Sequence, residues 1–229
     1  MATRTYFTPK SDSPYFLEND IEFNYLSGFA LSQQQKSICN MHSAILSANS
    51  KIKILEISTK SANPIGNRLS AFNLTIDIEG KALKLESVYQ ASKLFEFGGP
   101  YRDIATLNSL DAKRDLRLKN SGKLLGYIFN GEKWFLSESP NFFDYLYAKA
   151  VVENRLTEEL ISFNAFTDFA YSNKAYKRSK NRSFNCQARS AAIIVGLFPQ
   201  FGDLLLDEII KLAKLNSSLS EENQTSLFD

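Results

Sequence analysis

Histidine is almost absent from this chain: His42 is the single one in 229 residues. A histidine triad and a multi-histidine metal centre are thereby excluded, and His42, inside a helical-looking segment from Ser32 to Ala48, reads as structural. Cysteine is nearly as scarce. Cys39 and Cys186 lie far apart, fit no metal spacing and read as free thiols of a reducing compartment. Only 10 glycines are present, with no Gly-x-Gly-x-x-Gly or Walker-type loop, so a Gly-rich phosphate cradle is not expected. There is no run of about 18 apolar residues and no cationic-then-apolar N-terminus. Neither a membrane span nor export is expected, and a cytoplasmic protein is. The formal charge of +2 points to no partner by itself. No metal and no cofactor are expected; carboxylates, lysines and amides remain as reagents.

What is abundant is core material. The chain is 44% apolar, with 18 Phe and 10 Tyr, enough for one sizeable α+β domain. Residues 1–31 read as an extended aromatic arm with one strand. A helix capped by Ser32 runs through Gln33–Ser47, and Ile52–Ile57 reads as a strand. Leu74–Ile78 and Ala82–Leu85 alternate around Glu79-Gly80, a hairpin signal. Short helices are expected over Tyr101–Leu107 and Asp111–Arg117, and an apolar segment, Leu124–Phe129, precedes an Asn130-Gly131 turn. Further helices are expected over Phe142–Asn154, Thr157–Phe163, Ala188–Leu197 and Leu204–Leu215. The polar tail from Asn216 to Asp229 is expected to fray.

The most informative stretch is Glu86–Phe95, ESVYQASKLF. Read as one helix, it brings Glu86, Gln90 and Lys93 within about 60° of each other around the axis, with Val88, Ala91 and Phe95 on the core side. An acid, an amide and an amine then share a polar face. A solvated surface face would show the same pattern.

A second stretch stands out by charge. From Tyr171 to Arg182 there are five cations (Lys174, Lys177, Arg178, Lys180 and Arg182), two tyrosines, and no acid. Such a segment can grip phosphates and stack a base on a tyrosine such as Tyr176, or it can be an ordinary solvated loop.

Together these segments resemble the NADAR family, and in particular its branch of antitoxins that accompany DarT-type DNA ADP-ribosyltransferase toxins. The resemblance rests on Glu86 followed by Gln90-Ala91-Ser92-Lys93 at the family's spacing. Upstream of it stand Ile57-Ser58 and Leu69-Ser70-Ala71-Phe72-Asn73, with Ala71 where the family usually has Asn. Downstream stand Pro100-Tyr101-Arg102-Asp103 and Trp134, and then Asp168 and Asn185 ahead of Cys186-Gln187-Ala188-Arg189. It covers roughly residues 52–200. It implies a mainly helical, NADAR-like α+β domain with a small β-hairpin or sheet over residues 51–213. An N-terminal extension would pack on that core over 1–50, and 214–229 would form a flexible tail.

The activity implied is hydrolysis of an N-glycosidic bond to ADP-ribose, on guanine in DNA for the toxin-associated branch, a DNA-repair reaction. Lys93 is the expected nucleophile, forming an imine that water later hydrolyses. Glu86 is the expected proton-transfer partner, and Asp168 holds ribose hydroxyls or assists proton movement. For Lys93 to be neutral, burial or a neighbouring cation such as Arg68 is required. Expected substrate contacts are Ser70, Asn73 and Gln90 for ribose and amide groups, Arg68 for pyrophosphate or the DNA backbone and Trp134 for stacking, with Ser58, Arg102 and Asn185 as further substrate contacts. The 174–182 cations would hold the DNA backbone. The partners implied are ADP-ribosylated DNA, single-stranded or with its base flipped, ADP-ribose as product, and a cognate DarT-type toxin, but no membrane. Two alternatives stay open: an N-glycosidase of free nucleotide intermediates, as in riboflavin synthesis, and an antitoxin that neutralises by binding alone.

Overall fold

The structure, a computed structural model, describes residues 1–137, 140–171 and 185–225. It opens with strands β1 (Ala2–Pro9) and β2 (Phe16–Phe23), helix α1 (Leu31–Ala48), strand β3 (Ile54–Glu56) and the short α2 (Pro64–Arg68). Strands β4 (Thr75–Ile78) and β5 (Lys81–Lys84) lead into α3 (Leu85–Ala91) and β6 (Lys93–Phe95). A 3-10 turn over Arg102–Thr106 precedes α4 (Ser109–Arg114), α5 (Arg117–Asn120), and the strands β7 (Leu124–Phe129) and β8 (Glu132–Phe135). The chain continues through α6 (Phe142–Glu153), α7 (Thr157–Ile161) and β9 (Ala165–Thr167), then α8 (Gln187–Phe201) and α9 (Leu205–Thr225). The fold is mixed α+β, as expected. Among the described residues no helix is long and apolar enough to cross a membrane.

Two compact units are assembled from interleaved segments. The first contains residues 1–70, 155–171 and 186–202 of the described chain. Its sheet has the order β2-β1-β9-β3; β9 runs antiparallel to β1 and parallel to β3. The N-terminal segment is thus more than an arm with one strand. β1 and β2 pair over eight residues each, from Ala2 opposite Phe23 to Pro9 opposite Phe16. Helix α1 lays Ile38, Met41 and Ile45 on this sheet against Phe23 and Phe169, a three-and-four-residue spacing that makes one apolar stripe. The helix starts at Leu31, not behind a Ser32 cap; the Ala30 carbonyl takes the first amides, those of Gln33 and Gln34. Two glycines mark close approaches. A Cβ on Gly66 would sit 2.0 Å from the Glu56 carbonyl oxygen, and one on Gly196 would sit 2.4 Å from that of Lys10. The small-residue character of α8 is therefore what lets it lie against the β1–β2 turn.

The second unit contains residues 71–154, 185 and 203–225. β4 and β5 form the expected hairpin, and Glu79 and Gly80 both have positive φ, the geometry of a type I′ turn. Helix α3 follows at once and is buried along all seven residues. Lys84 provides no side-chain cap for it. Instead the Leu85 and Glu86 amides donate to the carbonyls of Leu74 and Ala71, at 2.9 and 3.0 Å. This satisfies two of the donors a helix start leaves open. The helix then ends early. Ser92 is its C-cap, and Lys93 opens β6, pairing with Tyr127 of β7. The apolar segment 124–129 is a strand, central in the sheet β6-β7-β8. Helix α6 begins with a capping box between Asn141 and Asp144 and packs with α9, which stays helical through Thr225, past the point where the polar sequence suggested fraying. Asn216 and Ser217 account for the persistence. The first donates to the Pro140 carbonyl at 2.9 Å, and the second is buried and accepts from the Phe135 amide.

Candidate active site

Helix α3 carries the acid. Glu86 is 2% exposed and Gln90, one turn on, 4%, so the polar pair faces protein and not bulk water. The Gln90 amide donates to Glu86 Oε1 at 2.9 Å, and the Lys113 ammonium from α4 lies 3.6 Å from the same oxygen. Glu86 Oε2 accepts no hydrogen bond from the described residues. Lys113 is half-exposed, and its ammonium rests 5.3 Å from the centre of the Phe72 ring, a cation–π contact.

Lys93 reaches the same region from a strand. The expected single helix bearing Glu86, Gln90 and Lys93 is corrected: α3 stops at Ala91, because the Ser92 carbonyl accepts from the Ile128 amide at 2.7 Å and β6 joins the sheet. The Lys93 ammonium lies 5.0 Å from the centre of the Tyr89 ring. Among the described residues it makes no ion pair and donates no hydrogen bond. Burial pushes its pKa from 10.5 down to about 8; Glu86 opposes that shift and Lys113 reinforces it. A cation acting on Lys93 is Lys113 of the same unit, while Arg68 pairs at the surface of the first unit with Glu159 at 3.5 Å. Beneath Lys93, the hydroxyls of Tyr89 and Tyr127 meet at 3.0 Å, and burial raises Tyr127 to about 12. The Tyr127 phenol is therefore neutral over the working range.

The first unit has its own buried acid. Glu56, at the end of β3, lies opposite Thr167 in the parallel pairing and is 3% exposed. Its carboxylate accepts from the Ser58 hydroxyl at 2.7 Å, the Thr167 hydroxyl at 2.6 Å and the Phe169 amide at 3.0 Å. Burial and the Asp168 charge outweigh these three donors and lift its pKa to about 7. His42 Nε2 stands 2.9 Å from the Thr167 hydroxyl. With Thr167 donating to Glu56, the ring nitrogen is the donor. Burial holds His42 down to about 4, so it is neutral, and the structural reading of this histidine fits a fixed tautomer. Asp168 turns the chain after β9, accepting from the Ala170 amide at 3.1 Å.

Over residues 2–225 the chain matches the family described as DarT1-associated NADAR antitoxin. The chain belongs to this family. No curated protein matches it.

The remaining candidate residues of the antitoxin divide by placement. Ser58 and Ser70 are buried and Arg68 is exposed, all in the first unit. Asn73 is partly buried, and its carbonyl accepts from Lys84 at 3.0 Å. Arg102 is exposed on the 3-10 turn beside α3. That turn is anchored by Arg117, which bonds Asp103 at 2.6 Å and Asp115 at 2.8 Å and lies over the Tyr101 ring. Asn185 is partly buried. Trp134, expected to stack on a base, is 2% exposed; it stacks on Tyr145 with centroids 5.1 Å apart and leans on Phe142. Its indole is core packing of the second unit. Lys174, Tyr176, Lys177, Arg178, Lys180 and Arg182 lie outside the described residues.

Three contributors went unseen in the sequence. Lys113 is 27 positions from Glu86 and no local pattern links them. Tyr89 is given no role by the helical pattern, which places only Val88, Ala91 and Phe95 on the core side. Glu56 did leave a signal: a lone carboxylate inside the apolar run Ile54-Leu55-Glu56-Ile57, where a charge is costly unless hydrogen-bonded.

Proposed function

We propose that the chain is an ADP-ribosyl glycohydrolase that removes ADP-ribose from guanine bases in DNA, and that this reaction is how the antitoxin reverses its toxin. The observation that carries the reading is the pairing of a lysine amine brought down to about 8 with a buried carboxylate that, among the described residues, accepts a hydrogen bond on one oxygen only. At pH 7.5 roughly a quarter of such an amine is neutral, against about one part in a thousand for an ordinary lysine.

In the proposed reaction the ribose ring opens, leaving C1″ joined to the exocyclic guanine nitrogen as an imine. Neutral Lys93 adds to C1″ through its lone pair. Two protons pass in turn, by way of Glu86, from the attacking amine to the guanine nitrogen. The C1″–guanine bond then breaks, the guanine amine leaves, and a lysine imine of ADP-ribose remains. Water adds to that imine and expels Lys93 as an amine, and the freed aldehyde recloses to ADP-ribose. The sum is N-glycoside plus water giving ADP-ribose and unmodified guanine. Gln90 holds the Glu86 carboxylate in place. Arg68, whose surface pair with Glu159 is worth at most about 1 kcal/mol, exchanges readily to a phosphate, as does exposed Arg102. Asp168, Ser58, Ser70, Asn73 and Asn185 are assigned to ribose and amide groups.

The test is borohydride trapping during turnover on guanine-ADP-ribosylated single-stranded DNA. The expected product is a reduced ADP-ribose adduct on Lys93, located by peptide mass spectrometry, with Lys93→Ala inactive and unlabelled. Full activity in Lys93→Ala would sink the mechanism. Release from a free modified nucleotide but not from DNA would move the substrate to the small-molecule class.

A further inference from the structure

Glu86 and Lys93 pose a conflict: an acid beside an amine ordinarily holds that amine as its ammonium, which cannot attack. The geometry points to Lys113 as the positioning residue that resolves it, by taking the Glu86 carboxylate as its own ion pair and leaving Lys93 without one. This inference rests on the nucleophile reading of Lys93 and adds a residue to it that makes no bond to substrate.

Three observations support it. Glu86 Oε1 is the focus of both Gln90 at 2.9 Å and the Lys113 ammonium at 3.6 Å, while Lys93 makes no ion pair among the described residues. Lys113 is itself held, its ammonium 5.3 Å from the centre of the Phe72 ring and its helix α4 packed on α3. Lys113 also leaves half its surface in water, whereas Lys93 is enclosed. The two lysines thus divide the labour: the exposed one pairs with Glu86, and the enclosed one is left to give up its proton more readily. Burial, Glu86 and Lys113 are the influences on the Lys93 amine. Tyr89 of α3 and Tyr127 of β7 also face it, and burial raises the Tyr127 phenol to about 12.

Removing Lys113 acts twice in one direction. It deletes a like charge near Lys93 and releases the Glu86 carboxylate to stabilise the Lys93 ammonium. The Lys93 titration must therefore move to higher pH.

The deciding measurement needs no turnover. Lys93 is labelled with a small water-soluble amine reagent across pH 6.5 to 10.5, and its modification rate is read by peptide mass spectrometry. The wild type is expected to show a midpoint near 8. Lys113→Ala is expected to shift it up by about one unit, and Lys113→Arg to restore it. Alanine suits the α4 position, and matching thermal melts establish that both variants fold. Steady-state kinetics follow the same rule: at pH 7, Lys113→Ala loses about tenfold in kcat, with most of the loss recovered by pH 9.5. An unchanged labelling midpoint in Lys113→Ala overturns the inference even if borohydride still traps Lys93. Conversely, a shifted midpoint with no trapped adduct would keep the electrostatic role of Lys113 and discard Lys93 as the nucleophile.

Discussion

At the scale of single residues, the second unit's site is an exercise in who pairs with whom. Glu86 sits among Gln90, Lys113 and Lys93, and its Oε1 takes both the Gln90 amide and the Lys113 ammonium. Substituting Glu86→Gln keeps the size and hydrogen-bonding capacity of the side chain but removes its ability to take up and return a proton. The expected outcome is a loss of turnover of about 100-fold or more with affinity for ADP-ribosylated DNA within a few-fold of wild type, read by ADP-ribose release and by binding titration. Unchanged release would take the proton-transfer role from Glu86. The residue types here were legible in sequence because Glu86 and Gln90 are one helical turn apart and their spacing is local. The amine was also singled out, but not the Lys113 cation beside the same carboxylate, because Lys113 lies 27 positions from Glu86 and only tertiary packing joins them.

At the scale of elements, the instructive case is where α3 ends. Ala91-Ser92-Lys93-Leu94-Phe95 has no residue that forbids helix, so periodicity carried the helix on to Phe95. What stops it lies elsewhere: the edge of β7, whose Tyr127 pairs with Lys93 and whose Ile128 amide claims the Ser92 carbonyl. Strand pairing of this kind depends on its partner and outweighs local propensity. The hairpin before α3 was legible for the opposite reason, since Glu79-Gly80 decides its own geometry.

The parallel pair β3–β9 places Glu56 against Thr167, and this element yields a stability prediction. The folded-state pKa of Glu56, about 7, lies above the ordinary 4.5. Between those values the native protein holds a proton that the unfolded chain has released. The stabilisation is full below pH 4.5 and lost as pH rises through 7. His42, lowered to about 4, works the other way, with stability rising between pH 4 and 6.5, but it is present in wild type and variant alike and cancels in their difference. Glu56→Gln is therefore expected to gain on the wild type between pH 5 and 8, by on the order of 3 kcal/mol or less, in urea unfolding at each pH. Parallel profiles would return Glu56 to an ordinary carboxylate.

At the scale of the whole molecule, the +2 charge gives no general attraction to DNA. A cationic segment must supply what the average lacks. The sequence concentrates five cations without an acid between Tyr171 and Arg182, whereas the cations of the second unit's site are committed to protein chemistry. Each phosphate contacted on a single strand contributes about 0.7 to the slope of log affinity against log salt. Reversing Lys177 and Arg178 to Glu is expected to flatten that slope by about 1.4 or more, measured by fluorescence anisotropy on a single-stranded oligonucleotide between 50 and 300 mM salt. Reversing Lys51 and Lys81, both exposed and outside the stretch, should leave it unchanged. If the two double reversals behave alike, charge placement along 174–182 has no part in binding, and the substrate reading would shift toward a free nucleotide. If only the first flattens the slope while release of ADP-ribose at low salt is preserved, the basic stretch grips the DNA backbone and the buried Glu86–Lys93 pair performs the chemistry.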